Sequence, residues 1–271
     1  MSPTKSLPKS LPRSMPHKLE RTVVIHATPE TVFRYFTDSP RFAKWWGAGS
    51  TIDPKVGGKV HIVHPGAVES AGEIIEIKAP RRIVFTFGFV SGKPIPVGSS
   101  RVTIDLKPDP NGTRLQLKHE LADKATRDEH VQGWRFQLSL FANIVADEMA
   151  AGAASAVDAW FDAWVEPDAK VREKLLGTIA SPEVRFQDRY SNLDGLTDVL
   201  PHIAAAQHFM PGMRMKRSGD VRHCQGMVLC DWIASKSDGH QIGRGTNVFV
   251  LGPTAKIEWV TGFWSPPQAS G

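Results

Sequence analysis

The sequence predicts an α+β protein of two domains, each a curved antiparallel sheet combined with helices. Three observations carry this. The chain has 271 residues, and at roughly 100–200 residues per domain that length divides in two. In residues 19–150 a strand, two short helices and a run of closely spaced strands precede one long amphipathic helix. In residues 151–265 helices come first and a meander of long strands follows, which suggests a cone wrapped by one sheet.

Composition excludes several classes. Apolar residues make up 41% and charged residues 23%, ordinary for a globular protein. No apolar run comes near the roughly 18 residues of a membrane span, so none is expected. Two cysteines exclude a disulfide scaffold, and no Cys/His cluster has zinc spacing, so neither a metal nor a cofactor is expected. The net charge of +5 invites an acidic partner until it is located. Lys5, Lys9, Arg13 and Lys18 fall in residues 1–18 with no carboxylate, and the rest of the chain holds 29 basic against 28 acidic residues. That leader repeats itself as Lys5-Ser-Leu-Pro8, Lys9-Ser-Leu-Pro12 and Arg13-Ser-Met-Pro16. A proline every fourth residue forbids a helix and favours an extended, disordered chain. It reads as a solvated leader or as a docking arm for an acidic surface. Residues 266–271 are a short tail. With no phosphate loop, finger motif or aromatic-basic array, nucleic acid is not an expected partner.

The first domain opens with a strand at Leu19–His26. Thr28 caps a helix with Pro29 in its first turn, Val32, Phe33 and Phe36 on its apolar face, and Asp38-Ser-Pro40 at its end. A second short helix, Pro40–Trp46, finishes in Trp45-Trp46-Gly47. Strands are expected at Lys59–His64, Gly72–Lys78, Arg82–Phe89, Ser100–Pro108 and Thr113–Leu121, with Gly57-Gly58 and Pro110-Asn-Gly112 among the turns. Ile83, Phe85, Phe87 and Phe89 share one face, and Leu115, Leu117, His119 and Leu121 share another. Val131, Trp134, Leu138, Phe141, Val145 and Met149 recur at helical spacing, and Phe136, Leu140 and Ile144 widen that face.

Ala150-Ala-Gly-Ala-Ala-Ser155 marks the boundary, as a break at Gly152 or as a continuous helix. Val157, Trp160, Phe161 and Trp164 then give a helical face, and Asp168–Ile179 a second helix. In the strand Glu183–Asp188, Val184, Phe186 and Asp188 share a side. Asp194–Phe209 is helical, with Pro201 expected to kink or split it. Strands follow at Arg214–Cys224, Met227–Ser235, Gly243–Leu251 and Lys256–Phe263, with hairpin turns at Gln225-Gly226 and Ser237-Asp-Gly239. A two-residue turn pairs 224 with 227 and 230 with 221, so Cys224 and Cys230 do not face each other. No disulfide is expected, which fits a reducing cytoplasm.

Ala27-Thr-Pro-Glu-Thr-Val-Phe, Trp45-Trp46-Gly47, Asp53, Gly57-Gly58 and His130-Val-Gln-Gly-Trp134 resemble the START-like, helix-grip superfamily over residues 19–150. The nearest branch is similar to the activator-of-heat-shock-ATPase homologues, a group linked with polyketide cyclases. The resemblance implies an apolar cavity between sheet and last helix that takes a hydrophobic molecule. Trp45, Trp46 and Trp134 would wall it. His119 would be either a ligand contact or a buried histidine bonded to a neighbour. His61 and His64 point to opposite sides of a strand, which argues against a shared metal.

Trp160-Phe161, Phe186-Gln-Asp188, Met210-Pro-Gly-Met213, Gly245-Thr-Asn-Val-Phe249 and Lys256-Ile-Glu-Trp-Val-Thr-Gly-Phe-Trp264 are similar to the SnoaL-like and ketosteroid-isomerase group of the nuclear-transport-factor-like superfamily, over residues 153–264. The resemblance implies a base at Asp188 and two oxyanion donors, which fall on Trp160 and Asn247. An indole and an amide stand where the isomerases carry a phenol and a protonated acid, a departure from the steroid-isomerising pattern. Among apolar neighbours, desolvation would raise the Asp188 pKa and suit it to base work. Otherwise Asp188 pairs with Arg185, Arg189 or a backbone amide, and Asn247 satisfies backbone groups. His223, on the face of Val221, is a second candidate base. Trp164, Trp232 and Trp259 would line the cone. The expected partner is a small hydrophobic molecule, with a homodimer through the second sheet as a family-level expectation. The function implied is binding or proton transfer on an apolar carbonyl compound, or ligand binding by an adaptor without catalysis.

Overall fold

The computed structural model of the chain describes residues 15–265. The chain divides into two compact units, Met1–Val145 and Ala146–Gly271. Residues 1–14 of the expected leader and 266–271 of the expected tail lie outside the described residues.

The first unit contains β1 (His17–Ile25), α1 (Pro29–Arg34), α2 (Ser39–Trp46), β2 (Thr51–Ile52), β3 (Lys59–Val63), β4 (Glu69–Lys78), β5 (Arg82–Phe89), β6 (Ser100–Asp109), β7 (Gly112–Leu121) and α3 (Lys124–Met149). Its sheet runs β1-β7-β6-β5-β4-β3-β2, antiparallel throughout. β1 starts two residues before the expected strand, because His17 still pairs with Leu121. Thr28 caps α1 by accepting from the Thr31 N–H. Asp38 caps α2, taking the Arg41 N–H, so the segment that ends one helix also starts the next. β2 escapes the sequence reading because two residues show no alternation.

The α3 face that covers the sheet is narrower than its sequence suggests. Trp134, Leu138, Phe141, Ala142 and Val145 are buried, whereas Phe136 is 66% exposed and Leu140 36%. Both lie two residues from Leu138, about 200° round the helix, so they cannot widen its buried face. α3 gives way to a 3₁₀ turn at Ala150–Gly152 before α4 (Ala153–Val165). The boundary is thus helical without being one uniform α-helix. Lys124–Val165 contains an 18-residue window of mean hydropathy 1.2. By length and composition that stretch could cross a membrane, which corrects the expectation that no run comes close. It is also the helix whose aromatic and aliphatic face is buried in a protein core.

The second unit continues with α5 (Ala169–Ile179), β8 (Ala180–Gln187), β9 (Asn192–Asp194), α6 (Leu196–Phe209), β10 (Arg214–Cys224), β11 (Met227–Ser235), β12 (Gln241–Leu251) and β13 (Ile257–Trp264). Its mixed sheet runs β10-β11-β12-β13-β8-β9, with β13 and β8 parallel. Asp168 caps α5 through the Lys170 and Val171 N–H groups. Pro201 does not split α6. A proline forfeits one intrahelical bond, and Val199 and Ile203 on either side are fully buried, so packing holds the helix. Gln225 and Gly226 take φ of 51° and 82°, the left-handed pair that a two-residue hairpin turn needs. On β11, Val228, Cys230, Trp232 and Ala234 face the core. Cys224 and Cys230 are both free thiols.

Candidate active site in the second unit

The inner faces of α4 and of the second sheet meet round a small cavity of about 60 Å³. A single water needs roughly 10–15 Å³ of such space, so it has room for several. α4 contributes Trp160, Phe161 and Trp164, β8 contributes Phe186, and β11 contributes Trp232. Met210, Met213 and Met215 form a flexible wall between α6 and β10, and methionine side chains repack easily round a bound molecule. Against this apolar lining stand one carboxylate, Asp188, and one carboxamide, Asn247.

Asp188 lies one residue beyond the end of β8, where its N–H bonds the Ser191 carbonyl. Its Oδ1 accepts from the Tyr190 N–H at 2.8 Å, and its Oδ2 accepts from the Trp264 indole N–H at 3.0 Å. The arginines beside it are engaged elsewhere. Arg185 pairs with Asp194 at 3.0 Å and lies over Trp259, and Arg189 lies over Tyr190. Of the partners considered from sequence, the backbone amide is the one observed. Asn247 on β12 is 4% exposed. A Cβ placed on Gly262 would stand 3.1 Å from the Asn247 Oδ1 and 3.2 Å from the Asp188 Cβ. The missing side chain at 262 is what lets the two polar residues face the same space.

Aromatic residues surround this pair. Trp160 is 1% exposed, with ring contacts to Phe186 at 6.0 Å and Phe249 at 6.1 Å. Trp164 packs on Phe186 at 5.4 Å. Trp232 meets Trp264 edge-on at 4.9 Å, and its indole nitrogen is buried with no hydrogen-bond partner. Trp264 and Gly262 were missed as site residues in the sequence. The sequence reads Trp232 as lining, and only the fold reveals its unsatisfied donor.

Two expected site residues lie elsewhere. His223 does not reach the cavity. Its Nε2 accepts from the Gly226 N–H at 3.1 Å, so its Nδ1–H donates to Asp147 at 2.7 Å. It pins the β10–β11 turn. Trp259 points away as well, its indole donating to Thr261 on the same outer face. Ile257 is buried, but the pairing shifts between 257 and 259. That irregularity changes the phase, so Val260, Gly262 and Trp264 are the inward residues.

In the first unit, Trp45 is 1% exposed, wedged among Phe36, Phe42 and Phe141, and its carbonyl accepts from Gln137. It is core. His119 is fully buried between two side chains. The Trp134 indole N–H donates to its Nδ1 at 3.0 Å, which fixes the tautomer. Its Nε2–H therefore donates to Ser100 Oγ at 2.8 Å, and Ser100 donates onward to the Phe87 carbonyl. Burial, aided by nearby His130, pushes the His119 pKa down to about 3, so the ring is neutral. His61 bonds Glu69 and His64 bonds Ser70, separate partners for the two histidines.

Residues 26–146 match the family described as Activator of Hsp90 ATPase homolog 1-like protein; the second unit lies outside that match. No curated protein matches the chain. Among solved structures, a proposed isomerase of the SnoaL-like family from Agrobacterium tumefaciens is similar at 25% identity, over 41% of this chain and 96% of that one, with a TM-score of 0.40. The Aha1 dimer from Colwellia psychrerythraea is similar at 14% identity, over 45% and 90%, with a TM-score of 0.40. A protein from Chromobacterium violaceum is similar at 27% identity, over 47% and 96%, with a TM-score of 0.39.

Proposed function

We propose that the second unit binds a small, largely apolar carbonyl compound and moves a proton on the carbon beside the carbonyl, as cyclases and isomerases do. One observation carries the reading: an oriented carboxylate and a buried carboxamide open on the same apolar cavity. Asp188 takes the proton from carbon, leaving an enolate. The Asn247 amide and an indole N–H, that of Trp160 in the resemblance, donate to the enolate oxygen. Asp188, whose acquired proton exchanges with solvent, then gives a proton to another carbon, so atoms and charge balance with no metal or cofactor step. Low polarity round the cavity favours neutral substrates. With about 60 Å³ available, anything larger than a few heavy atoms enters by moving the methionine wall. The test is Asp188→Asn against a panel of enolisable ketones, followed by solvent deuterium exchange. Exchange in the parent and none in the variant supports the base; equal exchange in both overturns it.

A second reading is non-enzymatic: a ligand-binding, stress-related adaptor or co-chaperone-like protein. The match of residues 26–146 to the Hsp90-ATPase-activator homologues favours it. The two readings part on one measurement, since a ligand that raises the melting temperature without being exchanged or turned over supports binding alone. We further propose a homodimer through the outer face of the second sheet, where Met227 and Phe263 are each 57% exposed, and a cytoplasmic setting consistent with two free thiols. Phe263→Asp should shift the sedimentation coefficient to that of a monomer.

A further inference from the structure

We propose that the first unit carries an anion site on its surface, which takes a phosphate monoester with a compact, partly apolar body between Arg81 and Lys107. The place is an open groove of about 660 Å³ formed by the β4–β5 turn and the end of β6. That volume lies within the roughly 300–1,000 Å³ of small-ligand sites. None of Trp45, Trp46, His119, Trp134 or Asp188 lines it, so it is separate from the cavity of the second unit and from the one expected under the long helix.

The charge of the groove selects the ligand. Four cations line it, Lys78, Arg81, Arg82 and Lys107, against one carboxylate, Asp105. Two of the cations are already engaged. Arg82 donates to Asp105 at 2.6 Å and to Glu76 at 3.3 Å, and Lys78 pairs with Glu76 at 2.6 Å. The bonds from Lys78 and Arg82 hold Glu76 below the usual carboxylate range, so it stays charged near neutral pH. Arg81 and Lys107 are exposed, and their side chains have no ion-pair or hydrogen-bond partner among the described residues. Four cations less Glu76 and Asp105 leave +2. A phosphate monoester carries about −1.5 to −2 at neutral pH and matches that excess, whereas a lone carboxylate leaves one cation unmatched. The planar fork of Arg81 suits two phosphate oxygens at once. The chain's own leader, with Lys5, Lys9 and Arg13, has the wrong sign to fill the groove.

The frame is fixed before a ligand arrives. The Arg81 N–H donates to the Lys78 carbonyl at 2.7 Å, which closes the turn, and the Leu106 N–H donates to the Arg81 carbonyl at 2.8 Å, which ties the turn to β6. The Arg81 backbone is thus held from both sides, and only its side chain is left to order on binding. A small ordering cost leaves more of the contact energy as affinity. Pro80 and Pro108, whose rings fix φ, stiffen the walls. With Ala79 they supply the apolar surface on which the body of the ester packs. Soluble esters and lipid headgroups both carry such a phosphate, and the groove recognises what they share.

The experiment titrates the full chain with phenyl phosphate and with benzoate, read by calorimetry and by backbone amide chemical shifts. Phenyl phosphate should move the Arg81 and Lys107 amides and bind more tightly than benzoate. Arg81→Gln and Lys107→Gln should each weaken it by about fivefold, the range of an exposed charge pair, and together by about twentyfold. Lys170→Gln removes the same charge from the exposed face of α5 in the second unit and should change nothing. Phosphatidylcholine vesicles with and without phosphatidic acid separate the two sources, with the leader present in every chain compared. Vesicle binding that falls in the double variant supports a headgroup as the source, and vesicle binding that stays constant while phenyl phosphate is lost supports a soluble ester. Three results overturn the proposal: no movement of the Arg81 and Lys107 amides at millimolar phenyl phosphate, benzoate binding as tightly, or a loss in Lys170→Gln equal to that in Arg81→Gln, which would reduce the binding to net charge.

Discussion

The Trp264 indole N–H donates to the Asp188 carboxylate at 3.0 Å, joining the last strand of the second sheet to the end of its first. Because β13 runs parallel to β8, the two residues meet although 76 positions separate them. With the Tyr190 N–H on the other oxygen, the carboxylate is aimed by two donors. A hydrogen bond to an ionised group contributes about 1.5–3 kcal/mol when buried, and less at this half-buried position. Trp264→Phe should therefore lower unfolding free energy by about 1–2 kcal/mol. In a double-mutant cycle with Asp188→Ala, the coupling energy should be of similar size. Urea denaturation of the four proteins measures it, and a coupling near zero removes Trp264 from the role of positioning Asp188.

Gly262 tests the geometry of the pair with one atom. A methyl there meets Asn247 at 3.1 Å and Asp188 at 3.2 Å, so one or the other must give by a few tenths of an ångström. Gly262→Ala should fold, since Gly262 is not among the positive-φ residues. Affinity for any ligand of this cavity should fall by about tenfold to a hundredfold, the usual result of small misplacements in a site. Calorimetry on parent and variant gives the ratio, and an unchanged affinity places the ligand elsewhere.

These relationships divide what the sequence reveals from what it conceals. Alternation in Glu183–Asp188 placed Phe186 and Asp188 inward, and in β12 it placed Asn247 with Phe249 and Leu251. Phe186, Asn247, Phe249 and Leu251 are buried, and Asp188 faces the cavity, as expected. Period-two patterning is local, and it survives folding wherever a strand is regular. Trp264 and Gly262 were illegible for the opposite reason. Their facing depends on the phase change in β13 and on its parallel register with β8, both set by partners far away in sequence. The same phase change sent Trp259 outward. His119 was readable from its leucine neighbours.

Burial of His119 makes the first unit sensitive to acid. The unfolded histidine takes a proton near pH 6.5, and the folded one refuses it down to about pH 3. Its contribution to stability is complete above pH 6.5 and is lost as pH falls toward 3. The slope approaches 1.4 kcal/mol per pH unit in that window. His64, also lowered, acts in the same direction. The paired carboxylates Glu120 and Asp158 lose their own contributions only below their ordinary range, so pH 6 to 5 isolates the histidines. Denaturant unfolding monitored by tryptophan fluorescence should show this slope in the parent and a shallower one in His119→Gln. Equal slopes would mean that His119 is protonated in the fold.

Arg172 is 4% exposed, and its recorded acceptors are neutral: the Glu166 carbonyl and the Gln207 Oε1, each at 2.8 Å. Gln207 in turn donates to the Trp164 and Glu166 carbonyls at the end of α4. A cation belongs at a helix C-terminus, where the unpaired carbonyls carry partial negative charge. Removing a buried charge together with its desolvation is often close to neutral, but removing its partner is not. Arg172→Met should thus change unfolding free energy by no more than about 1–2 kcal/mol. Gln207→Leu leaves the guanidinium short of an acceptor and two carbonyls short of a donor, and should cost about 3 kcal/mol or more. The ordering is the prediction. If Arg172→Met proves the more damaging, the guanidinium stabilises the end of α4 by more than its burial costs, and Gln207 is the lesser partner.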